Sequence, residues 1–307
     1  MFSPMDIEVG IALQTNPKVA PTTGDLLTLD YIPGSMMTVS SAVIESTTLK
    51  PNRASAGQRR GRREVSGSFN VRLHRDAAIS LIFASLLGND WVEAGEAGEG
   101  GDTLKSGKKS IPLMIVQTGT ADDGSVKRDQ FLGCTVTGIS FSAENGAGIE
   151  MTINFMGLDA ETDIAGASPL KRVEASNELE LIGDDVMNIT VAGVSITDFT
   201  KLDFSAEQAR EGAFVLGSKV AVANSASAPR KVSGSLEYFR PTGATPGFTG
   251  DAQGMSFDLL DAYAVDMSAV YFSEPQQNYG GANVVSTVTF TAGYNNTAGT
   301  DITITRP

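Results

Sequence analysis

The alternation of apolar and polar positions predicts a chain built mainly from short strands. In residues 64–73 the apolar side chains fall on every second position from Val65 onward, which is typical of a strand with one buried face. Residues 36–49 are rich in β-branched side chains and are predicted as a second strand, bent at Ser40-Ser41. Residues 1–35 are predicted to form an arm that docks on the rest of the chain.

One segment changes to the spacing of a helix. From Ala78 to Leu87 the apolar residues recur at intervals of three and four, Asp76 stands at the N-cap position and Gly88 follows as a stop. The sequence therefore predicts an amphipathic helix over residues 76–87.

Three further strands are predicted in the first half of the chain, at residues 110–118, 131–142 and 148–157. The turn sequences Asp122-Asp123-Gly124 and Asn145-Gly146 separate them, so the last two strands are predicted to form a hairpin. The acidic, glycine-rich residues 93–102 are predicted to form a mobile loop.

The second half repeats this plan. The segment R-E-V-S-G-S-F at residues 63–69 returns as R-K-V-S-G-S-L at residues 230–236, residues 255–267 again show helical spacing, and residues 284–293 match the strand at 149–157. A unit of about 140 residues is too long for a solenoid repeat, so the order favours two copies of one domain. We predict a first domain at residues 1–157, a linker at 158–178 and a second domain at 179–307.

Composition agrees with a folded, mainly β protein and argues against some functions. There are 33 glycines and 7% aromatic residues, and 23 basic against 36 acidic side chains give a net charge of −13. Such a charge argues against general nucleic-acid binding. The single Cys134 cannot close an intrachain disulfide, and neither an export signal nor a membrane-spanning stretch is expected.

Motifs that carry chemistry are weak. The only histidine, His74, lies at a predicted strand-to-helix junction, where it is expected to be a polar residue near the helix start. Residues 101–109 approach a phosphate-binding loop but have five residues between the glycines, and Lys109 stands where Ser or Thr is needed. The acid pairs Asp122-Asp123 and Asp184-Asp185 are expected in solvated turns. No catalytic, cofactor or metal site is predicted, and no enzyme.

A cluster of arginines is the strongest local charge feature. Arg53, Arg59, Arg60, Arg62 and Arg63 lie between two predicted strands. We favour contact with an acidic protein partner over a solvated loop or contact with DNA, because arginine pairs well with carboxylates and no aromatic residues stand between these arginines for base stacking.

Taken together, the chain resembles the major tail tube proteins of long-tailed, siphovirus-like bacteriophages. The segments that carry the resemblance are Ile44-Glu45-Ser46, R-R-E-V-S-G-S at 62–68, the helix 79–87 with Trp91 after it, F-L-G-C-T-V at 131–136, and Phe155-Met156-Gly157.

The resemblance implies an architecture and a role. Each domain would be a β-sandwich or half-barrel with one flanking α-helix, and neighbouring domains would join their sheets into a closed barrel around a channel. Because single-domain members form six-membered rings, a duplicated chain implies a homotrimeric, pseudo-hexameric ring. Stacked rings would form a virion tail tube that conducts the viral genome into the host, with acidic walls that repel phosphate.

Site residues and partners follow from the same resemblance. The segment 53–63, with its five arginines, would contact the adjacent ring, while residues 211–229 of the second copy are nearly uncharged and would make a different contact. Expected partners are other copies of the chain, a tape-measure protein, and terminator or baseplate proteins, with assembly in the host cytoplasm and no membrane insertion. DNA would pass without sequence-specific binding, and which residues line the lumen stays open.

Two other functions remain open from the sequence. A contractile injection or secretion system uses tube proteins of the same fold, usually with one domain. A β-sandwich that decorates a virion or adheres to host glycans is a further alternative, although one Trp and six Tyr provide few aromatic platforms for sugars.

Overall fold

The computed structural model describes residues 6–47, 57–95, 101–176, 178–239, 247–248, 250–280 and 283–306, and it is mainly β. The strands are β1 Ile7–Leu13, β2 Asp25–Leu29, β3 Thr38–Glu45, β4 Gln58–Arg72, β5 Asp102–Lys105, β6 Leu113–Thr120, β7 Val126–Glu144, β8 Glu150–Gly157, β9 Asp159–Ala165, β10 Lys171–Val173, β11 Val186–Val191, β12 Val194–Ser195, β13 Phe199–Glu207, β14 Arg210–Ala213, β15 Ala223–Ala226, β16 Lys231–Phe239, β17 Gln253–Leu259, β18 Tyr263–Phe272, β19 Gln276–Asn278, β20 Val285–Ala292 and β21 Thr303–Arg306. The helices are α1 Ala77–Leu87 and a 3-10 turn at Gly183–Asp185.

The central feature is a large sheet that runs through both halves of the chain. Its strands lie in the order β3, β4, β8, β7, β13, β16 and β20, all antiparallel, and β19 continues along the far edge of β20. The strand β7 is long enough to leave this sheet at its N-terminal end and to enter a second sheet, in the order β10, β2, β1, β6, β7 and β9.

The second half builds a similar smaller sheet. The strands β12, β11, β17, β18 and β21 pair in that order, and β5 from the first half adds to the outer edge of β21. The strand pairings of the two halves correspond, with β1 matching β11, β6 matching β17, β8 matching β20 and β9 matching β21.

One apolar core connects the two halves. It is contiguous from Phe69 and the helix residue Ile79 to Phe290 near the chain end. Where the halves meet, the rings of Phe141 and Phe204 stack with centroids 5.2 Å apart, and Phe257 packs edge-on against both. Burial of these rings contributes to holding the two halves together.

The predicted helix at residues 76–87 is confirmed, with its caps. The carboxylate of Asp76 accepts a hydrogen bond from the Ala78 amide at 2.6 Å. At the other end Gly88 adopts a left-handed conformation with φ 65°, and its amide donates to the Ala84 carbonyl. Local capping signals were sufficient here.

The predicted strands of the first half are confirmed with shifted ends. The β7–β8 hairpin turns at Gly146, which has φ 73° as the Asn-Gly signal requires, and β3 carries a register shift between Ser41 and Val43, beside the predicted bend. The N-terminal arm is more than a docked segment, because β1 lies between β2 and β6 in the sheet.

The predicted helix at residues 255–267 is wrong. The segment forms the strands β17 and β18, joined by a tight turn in which Leu260 has φ 46° and is 44% exposed. Met255, Phe257 and Leu259 are buried at every second position, so the period is two. The helical spacing depended on Leu260, which lies in the turn. The described residues thus contain one α-helix, in the first half, and not one in each.

Two segments predicted to lack structure are strands. Residues 158–178, predicted as a linker, contain β9, which pairs with β7, and β10, which pairs with β2 in parallel. The near-miss phosphate loop at residues 101–109 contains β5, paired with β21. These polar segments are ordered because they pair with strands that are distant in the chain. Such pairing cannot be predicted from local composition. The division into two domains stays a prediction.

Candidate functional site

The large sheet has one buried side and one polar side. On six adjacent strands every second residue points into the core, and most of the residues between them are hydroxyl-bearing, amide or charged, with Met156, Phe239 and Val285 as apolar exceptions. We call these outward positions the polar face: Glu64, Ser66, Ser68, Asn70 and Arg72 on β4, Glu150, Thr152, Asn154 and Met156 on β8, Ser140, Ser142 and Glu144 on β7, Lys201, Asp203, Ser205 and Glu207 on β13, Lys231, Ser233, Ser235 and Glu237 on β16, and Thr287, Thr289 and Thr291 on β20.

The polar face is concave and acidic. A shallow depression of about 690 Å³ lies over β7, β8, β13, β16 and β20. Six carboxylates stand against three basic side chains among the outward positions. Such a surface has few exposed apolar side chains and repels polyanions.

The strand register arranges the polar face in rows that run across the strands. One row reads Asn70, Thr152, Ser140, Ser205, Ser233 and Thr291. Within it the Thr152 hydroxyl donates to the Asn70 side-chain oxygen at 2.9 Å, and in the next row the Ser235 hydroxyl donates to the Asp203 carboxylate at 2.9 Å. The rows would continue across any strand that joined either edge of the sheet.

One ion pair bridges the two halves on this face. The Lys201 ammonium lies 2.7 Å from the Glu144 carboxylate and 3.5 Å from that of Asp203. Its hydrogen bond to Glu144 raises the pKa of Lys201. Both groups are solvent-accessible, so the pair helps to set register more than it adds stability.

The seam between the halves and the two outer edges of the sheet form the second part of the site. At the seam, Gly138–Glu144 of β7 pairs antiparallel with Lys201–Glu207 of β13. Among the described strands, β3 pairs only with β4 and β19 only with β20. The sheet therefore ends in two edges whose backbone groups lack a neighbouring strand, and these edges can accept another chain.

The described arginines of the predicted contact loop lie on strand β4 of the β3–β4 hairpin and not in its loop. Arg59 and Arg60 lie on β4 opposite Ile44 and Val43 of β3, and both arginines are exposed. Arg53 lies outside the described residues. We call residues 41–63 the arginine arm.

The last two arginines of the cluster are engaged within the chain. The Arg62 guanidinium lies over the Phe214 ring, 4.7 Å from its centroid. Arg63 pairs with Asp159 at 3.0 Å and donates to the Ala160 carbonyl at 2.8 Å. The cluster thus divides into exposed residues and anchors.

The residues that the sequence offered as candidates for chemistry are buried or make hydrogen bonds within the fold. His74 is buried, with Nδ1 2.9 Å from the Arg72 carbonyl. Asp123 accepts two hydrogen bonds from Ser125, which lower the pKa of its carboxyl, and Asp185 accepts one from the Ile182 amide. Burial raises the pKa of the Cys134 thiol.

Within the described ranges, no three His, Cys, Asp or Glu side chains cluster so as to hold a metal ion. Over the same residues, no helix is long and apolar enough to cross a membrane.

Comparison with protein families identifies the chain. A family model described as phage tail tube protein matches residues 6–293, which include the seam and nearly all of both halves. The chain belongs to the phage tail tube protein family. Its membership confirms the resemblance to phage tail tube proteins, and it makes the protein a structural component of a virion that assembles with further copies of itself into a tube. The family is one of structural proteins and not of enzymes. Comparison with curated proteins gives no match.

The sequence did not indicate the polar face or the edges. Alternating hydroxyl residues such as Thr287, Thr289 and Thr291 were visible as a signal for the outward side of a strand. Which strands would lie side by side, and which would end the sheet, depends on pairing that the alternation does not encode.

Proposed function

We propose that three copies of this tail tube protein close into a ring of six pseudo-equivalent units, and that stacked rings form a tube with the polar face toward its channel. The observation that carries this proposal is the seam, where β13 of the second half adds to the edge of β7 in the first half. The same addition between chains would join the β3 edge of one copy to the β19 edge of the next.

The repeat predicts the register of that junction. Thr38 of β3 corresponds to Ser205 of β13, and Gly67 of β4 corresponds to Gly234 of β16. The shift is 167 residues in both cases, because these residues occupy the same places in the β3–β4 and β13–β16 pairings. Phe155 and Phe290 lie opposite the two glycines.

Counting along the second ladder locates the partner of Thr38. In the first half, Thr152 lies three positions before Phe155 and is paired with Ser140. In the second half, Thr287 lies three positions before Phe290 and is paired with Gln276. At the seam Ser140 lies opposite Ser205, so Thr38 should lie opposite Gln276 of the next copy.

The polar face suits the wall of a conduit for DNA. It is rich in hydroxyl groups, carries twice as many acids as bases and is concave over five strands. A duplex that passes such a wall is repelled weakly and is not bound, so it can move. A closed ring would also remove both open sheet edges, which otherwise favour uncontrolled association.

The remaining parts of the proposal rest on the family. We expect a tape-measure protein in the channel before DNA release, terminator and baseplate proteins at the two ends, assembly in the host cytoplasm, and a long flexible tail. These partners would contact ring surfaces or the channel and not a small-molecule site.

A disulfide between chains tests the ring. The double variant Thr38→Cys/Gln276→Cys should form disulfides between neighbours on mild oxidation, since residues directly opposite on antiparallel strands bring their Cβ atoms near bonding distance. The native Cys134 is buried and will not compete. Non-reducing gels should show bands that end at three chains, and negative-stain images should show annular particles.

The matched control is Ser68→Cys/Gln276→Cys, because Ser68 lies on β4 away from the β3 edge. Absence of bands above one chain in the edge variant, with tubes present in the images, would overturn the proposed register. Bands that end at six chains would replace the trimer with a hexamer.

A further inference from the structure

The connection that matches the arginine arm in the second half is folded onto the first half. Residues 208–230, here called the second arm, occupy the place of residues 41–63 with the same length, since the shift of 167 holds on both sides. The second arm contains the β14–β15 hairpin, which forms a sheet of its own.

The second arm crosses the seam. As it leaves β13, the Gln208 amide donates to the Thr137 carbonyl of β7 at 2.8 Å. Farther along, the Asn224 side-chain amide donates to the carbonyls of Gly133 and Met156, at 3.3 and 3.2 Å. The second arm is therefore held by hydrogen bonds against β7 and β8 of the first half.

The base of the arginine arm is also held by the second arm. The Arg63 amide donates to the Lys219 carbonyl at 2.8 Å, and Phe214 lies under the Arg62 guanidinium. Gly212 lies against Met156, because a Cβ on this glycine would stand 3.4 Å from Met156 Cε.

The surface that the second arm covers has an uncovered counterpart. Thr135, opposite Met156 on β8, is 3% exposed beneath the second arm. The corresponding residue of the second half is Tyr271, opposite Thr291 on β20, and its side chain is 48% exposed. An aromatic ring thus faces solvent where the first half is covered.

The arginine arm carries uncovered apolar side chains as well. In the single chain the described parts of the arm continue the β3–β4 pairing, and Val43 and Ile44 are 55% and 62% exposed. The register shift between Ser41 and Val43 lies at the place that matches Gln208 to Arg210, where the second arm turns away from its sheet. A bulge of this kind allows a hairpin to bend.

We propose that the arginine arm of one copy bends at Ser41 and lies across the Tyr271 and Thr291 surface of the neighbouring copy in the same ring. This inference rests on the proposed ring. It differs from contact with the adjacent ring, which the resemblance implied for these arginines. Val43 and Ile44 supply apolar area, and Arg59 and Arg60 supply guanidinium groups that can stack on the exposed tyrosine.

A second disulfide tests the arm. Glu45 and Thr291 match Gly212 and Met156, which are in contact within the chain. The variant Glu45→Cys/Thr291→Cys should crosslink in isolated rings, and its bands should end at the same number of chains as those of Thr38→Cys/Gln276→Cys.

The two variants separate failure of the arm from failure of the ring. If the edge variant crosslinks and the arm variant does not, the ring stands and the arm proposal is overturned. Arm bands that exceed one ring and appear only in stacked tubes would place the arm on the adjacent ring and overturn it too. If neither variant crosslinks and the images show no annular particles, the ring proposal fails and the arm proposal fails with it.

A third substitution measures the role of the exposed ring. Tyr271→Ala in the arm variant should slow crosslinking about threefold or more, as expected for loss of a cation–π contact together with apolar area. Val194→Ala, which also removes an exposed apolar side chain but on β12, should leave the rate unchanged. Equal rates in the two would contradict the role of Tyr271.

Discussion

The two glycines of the repeated V-S-G-S segment explain why that segment recurs. A Cβ on Gly67 would stand 2.4 Å from the Met36 carbonyl oxygen, and one on Gly234 would stand 2.1 Å from that of Asp203. On Gly234 it would also meet the ring of Phe290 at 2.5 Å. Each glycine thus permits a neighbouring backbone segment to approach the strand closely, and Gly234 also leaves room for the ring of Phe290.

Gly234→Ala should therefore destabilise the subunit by roughly 1–3 kcal/mol, because backbone and a packed ring must move to admit one methyl group. Ser233→Ala, on the solvent side of the same strand, should stay within about 0.5 kcal/mol of the native protein. Urea unfolding followed by circular dichroism measures both. Similar midpoints for the two variants would contradict the close approach.

The arginines of the cluster differ from one another in their expected contribution to stability. Arg63→Ser should lower the free energy of unfolding by roughly 1 kcal/mol, since Asp159 and the Ala160 carbonyl lose their partner at a half-exposed site. Arg59→Ser should leave stability unchanged, because this side chain is exposed on the arm. The midpoint of thermal unfolding distinguishes them, and equal losses would show that the arm itself supports the fold.

Among the elements, α1 and β5 connect the first half to the second. The Ser80 hydroxyl of α1 lies 3.2 Å from the Tyr263 hydroxyl, and the ring of Phe83 meets Tyr263 edge-on at 5.1 Å. Beside them, Arg306 of β21 donates to the Asp102 carboxylate of β5 at 2.9 Å and lies over Trp91. The helix α1 therefore packs against both halves.

The β5–β21 contact should depend on pH. Hydrogen bonds from the Ala94 amide and from Arg306 lower the pKa of Asp102 below its ordinary 3.8. A carboxyl with a depressed folded-state pKa stabilises the fold above its unfolded value, and this contribution is lost as the pH falls through the folded value.

Asp102→Asn should accordingly lower the melting temperature at pH 7, and the difference from the native protein should shrink as the pH drops below 3.8. Thermal unfolding of both proteins across this range measures it. A difference that stayed constant with pH would show that the carboxylate charge contributes nothing.

For the whole molecule, the polar face is the surface on which the proposed conduit depends. Ser140 and Ser233 lie in one row on either side of Ser205. None of the three is needed for the core, so their replacement changes the charge of the wall without changing the fold.

Ser140→Lys/Ser233→Lys should assemble into tubes of normal length but hinder the passage of DNA. We expect infectious titre per particle to fall on the order of tenfold, because a basic wall attracts phosphates at short range. The control Ser195→Lys/Thr197→Lys places the same charges near β12, off the polar face. Plaque counts against particles seen by electron microscopy measure the ratio, and equal loss in both variants would contradict a channel-facing wall.

Sequence signals predicted correctly those features that depend on contacts between residues close together in the chain. Asp76 and Gly88 marked the ends of α1 because each cap is completed by groups within a few residues. The periodicity failed at residues 255–267, where one turn residue, Leu260, made two short strands resemble a helix.

The sequence by itself determined that the chain is mainly β, where α1 begins and ends, and that V-S-G-S marks two matching strands, because alternation, capping and the room that glycine leaves are local properties. Only the tertiary structure decided that β9, β10 and β5 are strands, that Arg59, Arg60, Arg62 and Arg63 lie on a strand, and that β3 and β19 end the sheet. Pairing partners distant in the chain are chosen by the collective burial of both halves, and no segment records that choice alone.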